Sequence, residues 1–422
     1  MKILWIVNSL LPEATAFLTG QNELKGSGGW IQGLAESLQN ISNVNIIVVG
    51  ITTLVHDLTK IQGKNLSYYA IPSNGGDRKY NKKYEAAYKS IFEKEKPEVV
   101  HIHGTEYPHS LAALRACGSD NTVISLQGIV SAIEPFYLGG IRKKELWKCL
   151  TIHDLLRPNV FQQHRNIKER GDNEIQLFKE AKYIIGRTKW DMVHVWAVNP
   201  QIVYMKCNEV LRKEFYEGNV WEYKDCEPYS IFASQGYYPL KGLHKLIMAI
   251  GIVKIHYTNT RLYIAGLNFT HNNGGILDKI KLSAYGKYIN KLIDVYGLRN
   301  SVIFLGSLNA EDMKKQYLRS NVFVCPSSIE NSPNSLGEAQ VLGVPCVASY
   351  VGGIPDMMEG NENNLYRFED VEMLAKNICD IFEKKEKIPQ LDSMRHRALG
   401  RHNAEKVTKR MMEIYYTVSK NH

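Results

Sequence analysis

The sequence predicts an α/β protein of two consecutive halves, each a parallel sheet with helices on both faces. Three observations carry this. Short Val- and Ile-rich runs, apolar on successive residues as strands buried on both faces must be, alternate with amphipathic helical stretches. The alternation stops near 222–228 (EYKDCEP) and then restarts. At 422 residues the chain is long enough for two domains.

In the first half the strands fall at 2–8 (KILWIVN), 44–50 (VNIIVVG), 98–103 (EVVHIH), 122–126 (TVISL) and 183–186 (YIIG). Helices fall at 29–40 and 84–95. The second half has strands at 229–234, 261–266, 301–305, 321–325 and 345–349, with helices at about 242–256, 282–296, 310–319 and 335–342. This places one domain at 1–224 and the other at 225–402. The tail, with apolar residues at helical spacing over 402–418, is suited to pack back across both, so that 403–422 completes the first domain.

Composition narrows the classes. Hydrophobic residues make up 44% and charged residues 23%, ordinary for a globular protein. The net charge of +9 is a modest excess that suits anionic substrates or an anionic membrane surface. With no aromatic–basic stacking pattern, it does not make a nucleic-acid binder. Seven scattered cysteines without a C-x-x-C pair read as reduced cytosolic core thiols. The N-terminal MKILWIVNSLLPEA reads as a buried strand rather than a secretory signal, and no window reaches transmembrane length.

In open parallel sheets ligands sit beyond the carboxyl ends of the strands, so the loops there are the candidate sites. Two such sheets facing one another would place a cleft between them. After strand 2–8, KGSGGWIQGLAESL brings Gly26, Gly28 and Gly29 to a helix start. That arrangement serves either a phosphate contact or a simple turn. Its spacing is neither G-x-G-x-x-G nor a Walker loop. Strand 98–103 ends at His103, and the next ends at Gln127 and Gly128. His103 is either functional or a satisfied structural histidine, and Gln127 can hydrogen-bond but cannot act as a base. In the second half Lys241, just before Gly242 in QGYYPLKGLHKL, is either a point charge for phosphate or a surface lysine.

The densest signal is PSSIENSPNSLGEAQVLGVPCVAS, 326–349. Ser332 and Pro333 read as N-cap and first helical residue, with Asn334 as the alternative cap. Amides around Asn334, Ser335 and Leu336 would then face an anion, with Glu338 one turn further on. Glu330 and Glu338 flank an uncharged loop, which suits two hydroxyl clamps at the ends of a diphosphate-linked sugar and nucleoside.

With the following YVGGIPDMM, this stretch resembles the signature region of the retaining nucleotide-sugar glycosyltransferases of family 4, of GT-B fold, with two Rossmann-like domains facing across a cleft. PLKGL, YIAG, VIFLGSL, VVHIHG and the N-terminal glycine loop extend the resemblance over nearly the whole chain. It implies that Glu338 binds the ribose and Glu330 the donor sugar. It implies that Asn334, Ser335, Leu336 and Lys241 bind the diphosphate, with Gly28 and Gly29 approaching the phosphates. Gly266, Leu267 and Asn268 would lie near the base. Glu330, Lys241 and His103 are the catalytic candidates.

The sequence departs from the family at two places. Gly236 stands where an arginine often precedes the lysine by five positions, and Gln127 where a histidine is frequent. Arg187, in IGRTKWD, is the candidate replacement charge and groups with Gln127 on the acceptor side.

The implied reaction moves a sugar, most simply from a UDP-sugar rather than a GDP-sugar, to a glycan or lipid-linked acceptor of a bacterial surface polysaccharide. It retains anomeric configuration. With no D-x-D pair, it requires no metal and no other cofactor. A GT-B sugar-nucleotide epimerase and a catalytically silent nucleotide-sugar-binding module are the alternatives. The segment 139–170 carries eight Lys and Arg against three acids, with Trp147 among them. It is therefore the candidate contact to an anionic membrane surface, on the inner face of the plasma membrane for a cytoplasmic protein.

Overall fold

The computed structural model describes residues 1–20, 29–39, 41, 43–64, 66–75, 79–270, 281–384 and 390–420. They form two compact units. The first comprises Met1–Glu134, Asn166–Arg212 and His402–His422, and the second Pro135–Arg165 and Lys213–Arg401.

The first unit is built on an eight-stranded sheet of order β3-β4-β2-β1-β5-β6-β7-β8. Its strands are β1 (Lys2–Val7), β2 (Asn45–Thr52), β3 (Thr59–Gln62), β4 (Ser67–Pro72), β5 (Val99–His103), β6 (Thr122–Ser125), β7 (Tyr183–Gly186) and β8 (Val203–Lys206). All pair in parallel except β3, which runs antiparallel to β4. Side chains alternate across the sheet as the pleat requires. Ile3, Trp5 and Val7 enter the core on one face, and Leu4 and Ile6 the core on the other.

Helices cover both faces. In chain order the helices of this half are α1 (Pro12–Thr19), α2 (Gly29–Gln39), α3 (Lys82–Glu95), α4 (Pro108–Cys117), α5 (Val130–Ile133), α6 (Lys143–Lys148), α7 (His153–Leu156), α8 (Val160–Glu180) and α9 (Lys189–Val198). Of these, α6 and α7 lie in the segment grouped with the second unit. The sequence reading kept that whole stretch in the first domain. Its contacts go instead to loops and helices of residues 239–328, described below.

The second unit holds a six-stranded parallel sheet, β11-β10-β9-β12-β13-β14. Its elements in chain order are β9 (Glu227–Ala233), α10 (Leu243–His256), β10 (Arg261–Ile264), α11 (Ala284–Val295), β11 (Val302–Phe304), α12 (Ala310–Arg319), β12 (Ser320–Cys325), α13 (Asn334–Leu342), β13 (Cys346–Ser349), α14 (Ile354–Met357), β14 (Leu365–Tyr366), α15 (Val371–Glu383) and α16 (Gln390–Arg401). The last helix, α17 (Ala404–Ser419), belongs to the first unit. There Tyr415 accepts a 3.0 Å hydrogen bond from the Trp5 indole and lies 2.7 Å from His101 Nδ1.

All seven cysteines are free, and all but Cys226 are buried. Among the described residues no helix is long and apolar enough to cross a membrane.

Candidate functional site

In the second unit two loops close on each other at the carboxyl ends of β9 and β12. The first carries Lys241 and the second Glu330. Gly242, at φ +68°, lets them meet, because a Cβ there would lie 1.7 Å from the carbonyl oxygen of Pro326. The Ser328 amide donates to the Leu240 carbonyl at 2.8 Å, clasping loop to loop. The Lys241 ammonium then stands 2.5 Å from Glu330 Oε1, with side-chain exposures of only 12% and 15%. Burial pulls the Lys241 pKa down, but the neighbouring Glu330 carboxylate outweighs it and the net shift is upward.

Glu330 is itself held on three sides. Ser327 Oγ donates to the same carboxylate oxygen at 2.9 Å. The Gly353 amide donates to the Glu330 carbonyl at 3.0 Å. Gly352, at φ +54°, presses so close that a Cβ would meet that carbonyl oxygen at 1.9 Å. The YVGGIPD motif thus has a structural reason, which is to seat the backbone of Glu330.

Helix α13 begins one residue later than the sequence predicts with its preferred cap. Pro333 itself, extended at φ −69° and ψ 119°, is the N-cap, and Asn334 is the first helical residue. No side chain caps the helix. The Leu336 amide is already used, donating to Pro333 O at 3.0 Å, and the Gly337 amide reaches the same oxygen at 3.3 Å. The amides of Asn334 and Ser335 precede these bonds and remain available to an anion, with the positive end of the helix dipole behind them. Among the described residues the Asn334 Oδ1 is buried without a hydrogen-bond partner. Glu338 is buried on the helix, its Oε2 receiving the Tyr317 hydroxyl at 3.4 Å. The same hydroxyl lies 2.9 Å from the Ser335 carbonyl.

The remaining donor-side glycines have separate roles. Gly236 is buried against Leu243, whose Cδ2 a Cβ would meet at 2.6 Å. An arginine there would therefore require Leu243 to move. Gly266, at φ +99°, pairs with Gly306 after β10, its amide donating to the Gly306 carbonyl at 2.8 Å. Gly26 and Gly28 lie outside the described residues, and Gly29 opens α2.

The first unit gathers the other candidates at the ends of β5, β6 and β7. His103 is buried, its ring 3.8 Å from that of His101 and 4.6 Å from Trp5. Burial lowers its pKa to about 3, so the ring is neutral at ordinary pH. It borders a narrow cavity of about 20 Å³, room for roughly one water, which Ser125, Arg187 and Glu209 also line.

Arg187 is not a spare charge. It is buried, its Nη2 donates at 2.8 Å to the carbonyls of both Leu126 and Gln127, and its Nη1 lies 2.6 Å from Glu209 Oε2. That last contact is an ion pair by distance without hydrogen-bond alignment. Gln127 donates to the other oxygen of Glu209 at 2.8 Å. The replacement phosphate charge expected from Arg187 is therefore already neutralised by Glu209.

Sequence reading missed Glu209, and it missed Glu174. The Glu174 carboxylate is buried on α8 and accepts from the Ser131 amide and hydroxyl, both at 2.7 Å, and from the Thr105 hydroxyl. Burial, opposed by these hydrogen bonds, raises its pKa to about 7. It ties the loop after β5 to the start of α5. No local pattern marks either acid.

Two helix-covered, largely parallel sheets in these strand orders define the two-domain GT-B fold. Residues 222–398 match the family model described as glycosyl transferases group 1. Solved structures of the same fold include sucrose-phosphate synthase from Thermosynechococcus elongatus, with TM-score 0.71, 18% identity and 99% of both chains covered. Anabaena HepE in complex with UDP-glucose aligns with TM-score 0.64 at 15% identity, over 99% of this chain and 100% of that one. Among curated proteins, an uncharacterised glycosyltransferase of Methanocaldococcus jannaschii is 32% identical over 127 residues, 30% of this chain and 28% of its own length. The spore coat protein SA of Bacillus subtilis is 24% identical over 180 residues, 42% of this chain and 45% of its own. The chain thus spans less than half the length of either curated relative.

Proposed function

We propose that the protein is a retaining, metal-independent glycosyltransferase of the family 4 type. It would move a sugar from a nucleoside-diphosphate sugar to a glycan or lipid-linked acceptor in capsular, exopolysaccharide or lipopolysaccharide synthesis. It would work in the cytoplasm, at the inner face of the plasma membrane. The observation that carries the reading is the Lys241–Glu330 pair beside an uncapped helix whose first turns end in Glu338. The solved complexes of Anabaena HepE with UDP and with UDP-glucose favour a UDP-sugar over a GDP-sugar.

In this reading the Lys241 ammonium and the amides of Asn334 and Ser335 stabilise the negative charge of the departing diphosphate. The diphosphate draws Lys241 away from Glu330, which frees that carboxylate for the donor sugar hydroxyls. Glu338, steadied by Tyr317, accepts from the ribose diol. The neutral His103 ring can donate or accept one hydrogen bond but is not a proton reservoir at neutral pH. The departing phosphate assists deprotonation of the acceptor on the same face, which retains configuration.

The test is a thermal-shift panel of UDP, GDP and ADP and their sugars, with and without EDTA. A ligand at a hundred times its Kd should stabilise by about 2.7 kcal/mol. UDP and a UDP-sugar are expected to do so, unaffected by EDTA, and Lys241→Met should abolish the shift. If no nucleotide raises the melting temperature, the reading fails.

A further inference from the structure

The segment Pro135–Arg165 is bolted to the loops that carry Lys241 and Glu330. Ser328 Oγ donates to the Phe136 carbonyl at 3.0 Å. Gly139 packs on the loop before Lys241, where a Cβ would lie 2.5 Å from Pro239 O, and its carbonyl is 2.8 Å from His244 Nε2. Thr151 Oγ1 donates to the Leu282 carbonyl at 2.5 Å. Ile141, Leu146 and Cys149 are buried inward. Asp154 is buried too, accepting from the Thr151 amide at 3.0 Å, with the Thr151 hydroxyl oxygen 2.9 Å from the same carboxylate oxygen. The inward face of the segment is therefore fully used.

Its outward face is the anomaly. Leu155 is 84% exposed, Leu156 72%, Trp147 61% and Ile152 60%. Four large apolar side chains within ten residues, on helices pinned from beneath, are more than a soluble surface ordinarily leaves to water. Five exposed bases surround them: Arg142, Lys143, Lys144, Lys148 and Arg157. Of the nearby acids, Asp154 is buried and Glu145 offsets only one of the five, lying 3.8 Å from Lys148, so a positive excess remains.

We propose that α6, α7 and the turn between them form a foot that inserts shallowly into an anionic phospholipid bilayer. Leu155, Leu156, Ile152 and Trp147 enter the acyl boundary while the ring of bases meets the headgroups. A protein partner with an acidic rim is disfavoured because the apolar side chains are displayed rather than recessed, Leu155 and Leu156 being more than two-thirds exposed. Because the foot is bolted to the donor loops, it would seat the nucleotide-sugar site at the bilayer surface. This deepens the proposed function and rests on it only for that last step.

The experiment is co-sedimentation of the whole chain with vesicles of phosphatidylcholine alone and of phosphatidylcholine with one-quarter phosphatidylglycerol, without nucleotide or sugar. Light-scattering mass and the UDP-induced thermal shift are measured in parallel. The anionic vesicles are expected to bind at least about tenfold more tightly than the neutral ones, and less so in high salt. L155E/L156E should cut the partition coefficient about tenfold or more, with the melting temperature and UDP shift unchanged. Equal binding to both vesicles, no binding, or a wild-type dimer that the double substitution converts to monomer would each overturn the proposal. If vesicles fail while UDP still stabilises, the foot alone is wrong. If UDP fails too, the proposed function falls with it. Anionic-vesicle binding without a UDP effect leaves the foot standing and removes the function.

Discussion

Replacing Glu330 by glutamine removes one charge and almost no volume, and so isolates the ion pair with Lys241. At 2.5 Å the pair attracts by roughly 7 kcal/mol at an effective dielectric constant near 20, most of it offset by desolvation. What counts on substitution is the ammonium left behind in a site where Lys241 is only 12% exposed. Breaking a buried pair this way costs about 3–5 kcal/mol, and placement near the surface of the unit argues for the lower end, about 3. For a unit of this size that lowers the melting temperature by about 6–12 °C. Lys241→Met should cost a similar amount, and K241M/E330Q less than the sum, with a coupling near 2 kcal/mol. Calorimetry of the four proteins without ligand measures this. UDP then supplies an independent sign. Its stabilising shift should be larger in E330Q than in the wild type, because the ammonium no longer has a resident counter-ion, and absent in K241M. Single variants melting within 1 °C of wild type, or a strictly additive double, would refute the argument.

Three further outcomes are expected. Gly352→Ala places a Cβ against the Glu330 carbonyl at positive φ, so it should cost at least about 3 kcal/mol by thermal unfolding and lower turnover with Glu330 misplaced. Glu174 has a folded pKa of about 7 against an ordinary 4.5, so its native state holds the proton longer than the unfolded chain. Its contribution is complete below about pH 4.5 and falls away by about 3 kcal/mol as pH rises through 7, a slope that Glu174→Gln should remove from denaturant melts. Glu209→Gln leaves the Arg187 guanidinium buried beside two carbonyls, with an expected loss near 3 kcal/mol that R187M/E209Q partly restores.

The central strands were legible because they are buried on both faces, so unbroken Val and Ile runs mark them. The edges were not. The strand β3, TKIQ, buries a single residue, and β8, VYMK, likewise, so neither carries a periodic signal. Lys241, Glu330 and Glu338 could be found because each lies in a short loop-to-helix passage with its own local chemistry. The partners that fix them could not. Ser327 acts through a single hydroxyl, Gly352 through backbone geometry, and Glu209 reaches Arg187 from 22 residues away. The helix start slipped by one because Ser332–Pro333 satisfies the cap rule equally well, while the backbone turns helical only after the proline.

The division of the chain also sets an order of events during synthesis. The first unit takes its opening strand from residue 2 and its closing helix from Ala404–Ser419, joined by a hydrogen bond between Trp5 and Tyr415. The ribosome must therefore release the chain through at least Ser419 before that unit can finish its core. Until then Trp5, Val7 and the face of α2 that α17 covers stay partly open to chaperones and to neighbouring nascent chains. A shortened product stopping near residue 400 would lose the keystone of its earliest-made domain, although its latest-made one would be whole.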